Sequence, residues 1–215
     1  MNQSDLKYIN LIGVEIEGGW KKKPNRLRDD GSVHGLSASY YGEVCSPPMT
    51  IDDVFTWIDK NTPTTINETC GTHIHISFNK ITDYLRCMET SFFNHFLDWM
   101  DIWGKTIGLH SSHLYWDRLK GNNRFCIKKF DPKSQIYLKN KGGTRQTLLN
   151  FPYEIHKTIE CRLFPAFESS DLYKKAVESF VGCVEIYLKN NKDFVGLEPL
   201  ETKIFVEEVN SVEVI

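Results

Sequence analysis

Gly13-Val14-Glu15-Ile16-Glu17-Gly18-Gly19 reads as a strand with two unlike faces. Successive side chains of a strand point to opposite sides. Glu15 and Glu17 therefore stand together, roughly 6–7 Å apart at the backbone, with Val14 and Ile16 behind them. Two carboxylates that close repel each other unless a cation, a basic side chain or water neutralises them. A solvated strand face would satisfy them as well as a bound ion would. The same design recurs further along, and the recurrence gives the motif weight. Cys70-Gly71-Thr72-His73-Ile74-His75-Ile76-Ser77-Phe78 sets His73 and His75 on one face, with Thr72, Ile74 and Ile76 on the other. Lys157-Thr158-Ile159-Glu160-Cys161-Arg162-Leu163-Phe164 sets Glu160 and Arg162 opposite Ile159, Cys161 and Leu163. Tyr40-Tyr41-Gly42-Glu43-Val44-Cys45 alternates toward a further strand that carries Glu43.

Helical patterns separate these strands. Thr50 or Asp52 caps a short helix with Val54, Phe55, Trp57 and Ile58 inward, ended by Thr62-Pro63-Thr64. A long helical region is expected over residues 82–109, where Leu85, Met88, Phe92, Phe96, Trp99, Met100, Trp103 and Ile107 fit a 3.6-residue period. That aromatic stripe is core material, not a cofactor site. Ser169, Ser170 or Asp171 caps a last helix to about residue 189, with Ala176, Val177, Phe180, Val181, Val184 and Leu188 inside. Residues 110–147 are polar and basic and read either as solvated loops around a short strand near 124–127 or as a mobile, positive rim over a phosphate site. A second basic run, Trp20-Lys21-Lys22-Lys23-Pro24-Asn25-Arg26-Leu27-Arg28, is a solvated loop or faces an acidic substrate or partner. The tail after Gly196 is acidic, and its last segments can pair as edge strands. No repeat or linker appears, so residues 1–215 are expected to form one domain, with the part from about 197 peripheral.

A chain of 215 residues is long enough for one sizeable core. Its net charge of −2 argues against a general nucleic-acid binder, which carries a basic balance. None of the six cysteines forms a C-x-x-C pair, and most sit in apolar patterns where a free thiol acts as a small hydrophobe. With a polar start and no apolar run of membrane length, the expectation is a reducing cytoplasmic compartment and no membrane partner.

If the strands are neighbours in one antiparallel sheet, one face packs on helices and the other collects carboxylates, imidazoles and a guanidinium. Such a face can be polar simply because it meets water. A solvated face, however, also draws on Lys, Thr, Ser and Gln, whereas these positions are almost all ligands for metal or phosphate. Carboxylates without cysteine pairs favour hard cations, Mg²⁺ or Mn²⁺ over zinc.

The ordered set Gly13-Val14-Glu15-Ile16-Glu17, Asp30-Gly31-Ser32, Glu43-Val44-Cys45-Ser46-Pro47, Gly71-Thr72-His73-Ile74-His75, Asn123-Arg124-Phe125-Cys126 and Thr158-Ile159-Glu160-Cys161-Arg162 resembles the amidoligase family, carboxylate–amine ligases with a glutamine synthetase-like catalytic fold. The resemblance covers about residues 8–185. It implies an α+β fold: a curved, mainly antiparallel sheet with helices on its convex face and ATP, metal ions and the acid to be activated on its concave face. By matching motif, Glu15, Glu17, Glu43, His73 and Glu160 resemble the metal ligands. His75 resembles the histidine nearer nucleotide or substrate. Arg162 resembles the arginine that meets phosphate and substrate carboxylate. Arg124 corresponds to a phosphate contact, with Arg118, Arg145 and Lys157 as weaker candidates, and Asp30 and Ser32 touch substrate. Two departures stand out. These 215 residues are expected to hold no separate domain like the N-terminal one that completes the glutamine synthetase site from a neighbouring subunit, and Cys161 stands where a larger apolar residue is more usual.

The expected activity is ATP-dependent amide or isopeptide formation through an acyl phosphate, with ATP, Mg²⁺ or Mn²⁺, and small-molecule or peptide acid and amine substrates. The loops around Asp30 are where the base for the amine's proton is to be sought. Two alternatives differ in class. A metal-dependent hydrolase would use the His-x-His pair to activate water. A non-catalytic binding protein would keep a degenerate ligase fold and tolerate loss of the acids.

Overall fold

The computed structural model describes residues 1–124, 126–132, 146–152 and 156–191. β1 (Ile9–Trp20) is the longest strand, and its branched residues Ile12, Val14 and Ile16 are at most 1% exposed. β2 (Leu27–Arg28) and β3 (Tyr40–Cys45) lie to one side of it; β4 (Gly71–Phe78), β6 (Thr158–Pro165) and β5 (Leu149–Asn150) lie to the other. The order is β2-β3-β1-β4-β6-β5, and among the described residues each pair of neighbouring strands in this sheet is antiparallel. The architecture is α+β, as the alternation in the sequence predicts.

Four of these strands alternate in the same sense, and burial shows the result. Val14, Ile16, Val44, Ile74, Ile76, Ile159, Cys161 and Leu163 form one face and are excluded from water. They share a core cluster with the buried sides of α1 (Ile51–Asn61), α3 (Thr90–Thr106) and α5 (Ser170–Asn190). Burying one such branched side chain is worth about 1.5–3 kcal/mol, so the apolar face fixes the register of the whole sheet. Thr50 and Ser169 cap α1 and α5, each accepting a backbone N–H from the first turn.

The structure corrects three expectations. The single helical region over 82–109 is two helices, α2 (Ile81–Arg86) and α3, separated at residues 87–89. There the bonds tighten to a three-residue spacing, as Met88 N–H donates to Leu85 O and Glu89 N–H to Arg86 O. Arg86 then turns away to donate to the Leu188 carbonyl at 2.7 Å, closing the end of α5. Within the stretch expected to be loops, Leu114–Lys120 form α4, capped by the His113 ring and ended by Gly121 at φ 78°. The short strand near 124–127 is reduced to isolated bridges, Asn123 with Cys126 and Ile127 with Thr147. The tail from about 197, its possible edge strands and Arg145 lie outside the described residues. Among the described residues, no helix is long and apolar enough to cross a membrane.

Candidate functional site

Cross-strand partners share a face, so the register lays the polar side chains out as three rungs. In the first, Arg28 pairs with Glu43 and Glu43 with Glu17. In the second, Cys45 pairs with Glu15 and Glu15 with His73. In the third, Gly13 pairs with His75, His75 with Glu160 and Glu160 with Asn150. An irregularity between β4 and β6 falls between Thr72 and Ile74 and lets Arg162 reach across toward His73. The sheet thus brings Glu15, Glu17, Glu43, His73, His75, Glu160 and Arg162 together on one face.

On the first rung, Glu17 is 5% exposed and accepts the Gly71 N–H at 2.5 Å. Gly71 makes this approach possible: a Cβ there would lie 3.2 Å from the Glu17 carboxylate and 3.0 Å from the Arg118 guanidinium. Glu17, Asp30 and Glu43 each direct a carboxylate oxygen into one group whose oxygens lie within 4.8 Å of one another. Burial and the charge of nearby Glu15 raise the Glu43 pKa. Asp30 reaches the group from the loop after β2 and also accepts the Ser32 N–H at 2.7 Å.

On the second rung, His73 Nδ1 lies 3.0 Å from Glu15 Oε2 and 3.4 Å from Arg162 Nη1. One nitrogen cannot donate to Glu15 and accept from Arg162 at once. The shorter contact assigns the proton to Nδ1, donated to Glu15. The His73 Nε2 faces Glu17 Oε1 at 3.8 Å. Burial works to raise the Glu15 pKa, but the hydrogen bond from His73 and the His75 imidazole close by outweigh it and hold the carboxyl far below the usual range. Cys45, Glu15 and Glu43 form a second three-ligand group.

On the third rung, His75, Glu15 and Glu160 form another. His75 Nε2 is 3.5 Å from Glu15 Oε1, a loose ion pair short of good hydrogen-bond geometry, and Nδ1 is 3.3 Å from Thr158 Oγ1. Burial opposes the charged imidazole, yet Glu15 and Glu160 raise the His75 pKa overall. Glu160 is 3% exposed; Arg162 donates to one oxygen at 2.8 Å and Asn150 to the other at 3.0 Å. Its pKa is lowered to about 2: burial works upward, and the charges of Arg162, His75 and His73 prevail. Thr147 in turn donates to Asn150 Oδ1, fixing the amide with its NH₂ toward Glu160.

The other predicted contacts are placed differently. Arg118 is 2% exposed on α4 and donates to the carbonyls of Phe164 and Cys70, at 3.0 and 3.2 Å. It braces the ends of β4 and β6 instead of facing solvent. Arg124 is exposed in the turn that leads to Cys126. Cys126 is buried, and burial pushes its thiol up to about 12 against the opposing charges of Arg118 and Arg162. Lys157 is exposed, at φ 51°, directly before β6. Asn150, Thr147 and the thiol of Cys45 were not singled out by the sequence. Asn150 lies on a two-residue strand without alternation to mark it, and only the register reveals its partner.

Comparisons with models of protein families, with curated proteins and with solved structures gave no match.

The donor set itself fits hard divalent cations. The three groups are carboxylate-rich, and they overlap through Glu15 and Glu43, so bound ions would be neighbours. Burial first, and then the charges of Glu15 and Asp30, raise the Glu43 pKa. Beside Glu160 stands Arg162, whose guanidinium retains donors beyond the one given to that carboxylate. The face can therefore hold cations at its first two rungs and an anion against Arg162 at the third.

Proposed function

We propose that this chain is an ATP-dependent carboxylate–amine ligase built on a glutamine synthetase-like sheet, forming an amide or isopeptide bond through an acyl phosphate. The observation that carries this reading is the single sheet face on which Glu15, Glu17, Glu43 and Glu160 meet two histidines and Arg162, with the helices packed on the other face. The amidoligase-like order of motifs supports it from the sequence side.

A free carboxylate is a poor electrophile because it is anionic and lacks a leaving group. Its oxygen attacks the γ-phosphorus of ATP, the bond to ADP breaks, and the acyl phosphate that results is opened by an amine with release of phosphate. Glu15, Glu17, Glu43, Glu160 and His73 would hold Mg²⁺ or Mn²⁺, which would supply charge neutralisation at the phosphates. Arg162, fixed by Glu160, offers a preorganised donor to the moving phosphoryl group, an effect worth about 3–4 kcal/mol where such a donor is removed. Arg124, exposed two residues before Cys126, is the candidate phosphate contact by its motif. His75, between Glu15 and Glu160 on the third rung, is the histidine placed nearer nucleotide or substrate in this reading.

The antiparallel sheet speaks against the barrel hydrolases that carry His-x-His, whose strands are parallel. The decisive experiment is Mg²⁺-dependent ADP release from ATP with a panel of amino acids and peptides, run beside Glu15→Ala. Substrate-stimulated release that the variant lacks is the expected result. Absence of release together with absence of Mg·ATP binding by calorimetry would overturn the ligase.

A further inference from the structure

The basic run between β1 and β3 is not used by the phosphoryl chemistry. Lys21, Lys22, Lys23, Arg26 and Arg28 fall within eight residues, and no acid stands between Glu17 and Asp29. All five side chains are exposed. None of them forms an ion pair among the described residues, although the chain as a whole carries a net charge of −2. Unpaired like charges so closely spaced repel one another, and an anionic partner relieves that repulsion.

The run is anchored at both ends. Trp20, 5% exposed, donates its indole N–H to the Asn61 carbonyl at 3.0 Å. At the other end β2 is paired in register, Leu27 with Val44 and Arg28 with Glu43. β2 is the outermost strand on that side, so the run forms the rim beside the first rung. Arg28 shares the site's face with Glu43, and Asp30, two residues on, completes the group with Glu17 and Glu43.

We propose that residues 21–28 are a docking rail for an acidic peptide, which carries the carboxylate to be activated past Arg28 onto the site face. The proposal rests on the ligase reading for its end point. The run bends at Lys21–Lys22 and turns at Asn25–Arg26, so it spans less than the roughly 26–29 Å of eight extended residues, a length suited to a short peptide. A nucleic acid needs phosphate contacts spread over a longer basic surface, and this one is bounded by Asp29, Asp30 and Glu43.

The test uses the full chain and a fluorescein-labelled hexaglutamate peptide, followed by anisotropy. The peptide binds the wild type, and added salt weakens it. Lys21→Gln/Lys22→Gln/Lys23→Gln weakens it about tenfold, within reach of three exposed ion pairs lost together. Mg·ATP binding, measured in parallel by calorimetry, is unchanged in that variant. Hexaglutamate binding that is absent, or indifferent to the three substitutions, overturns the rail while intact Mg·ATP binding leaves the ligase standing. Tighter binding of a single-stranded oligonucleotide or of phosphatidylserine vesicles than of hexaglutamate also overturns it. Lysine-dependent peptide binding without any Mg·ATP binding keeps the rail and removes the ligase.

Discussion

Glu160 takes one hydrogen bond on each oxygen, from Arg162 and from Asn150. Removing the second leaves a buried charge with a missing partner, and hydrogen bonds to charged groups contribute about 1.5–3 kcal/mol. Asn150→Ala should therefore lower the unfolding free energy by about 2 kcal/mol in urea titrations. A change within a few tenths would mean that Asn150 does not orient Glu160. The same carboxylate sets a pH dependence. Its folded pKa of about 2 lies below the ordinary 4.5. A depressed acid contributes stability that is fully present above the unfolded value and is lost as pH falls through the folded one. In the metal-free protein, the stability advantage of wild type over Glu160→Gln should thus shrink as pH drops from 4.5 toward 2. An advantage that is constant with pH would contradict the charge pairing with Arg162.

At the scale of elements, β2 is held by a backbone approach that only glycine permits. Gly42 has φ 141°, and a Cβ built on it would sit 2.1 Å from the Arg28 carbonyl oxygen. Gly42→Ala must therefore push β2 from β3 or strain the strand, at a cost above about 1 kcal/mol. The expected signature is faster hydrogen exchange at the β2–β3 ladder with the β1–β4 ladder unchanged. Equal protection in both proteins would refute the close approach. Alternation in the sequence makes β1, β3, β4 and β6 legible, because each must hide its branched residues on one side. The two-residue strands β2 and β5 carry too few side chains to alternate, and they form because longer neighbours present open edges. The α4 helix escaped for a different reason. Its buried side is Tyr115, Arg118 and Leu119, and an inward arginine breaks the apolar pattern by which amphipathic helices are recognised.

For the whole molecule, a cation that binds the folded face and not the unfolded chain must stabilise it by mass action. At a hundred times its Kd, the gain is about 2.7 kcal/mol. Mn²⁺ alone should raise the thermal midpoint of the wild type, and Glu15→Ala, which removes the member shared by two ligand groups, should abolish most of that rise. Equal rises in both proteins would show that the ion binds elsewhere.

The sequence by itself determined which residue types share a face, because strand geometry has a period of two and one face must be apolar. It thereby named Glu15, Glu17, Glu43, His73, His75, Glu160 and Arg162 before any coordinate was known. It could not rank the arginines: whether a guanidinium is spent on carbonyls, as in Arg118, or aimed at a carboxylate, as in Arg162, depends on what packs around it. Only the tertiary structure decided the strand order, the three rungs, the place of Asp30 beside Glu17 and Glu43, and the partners Asn150 and Thr147. Those depend on pairing between segments as far apart as Gly71 and Pro165, and register between distant strands is set by packing of the common core, not by local sequence.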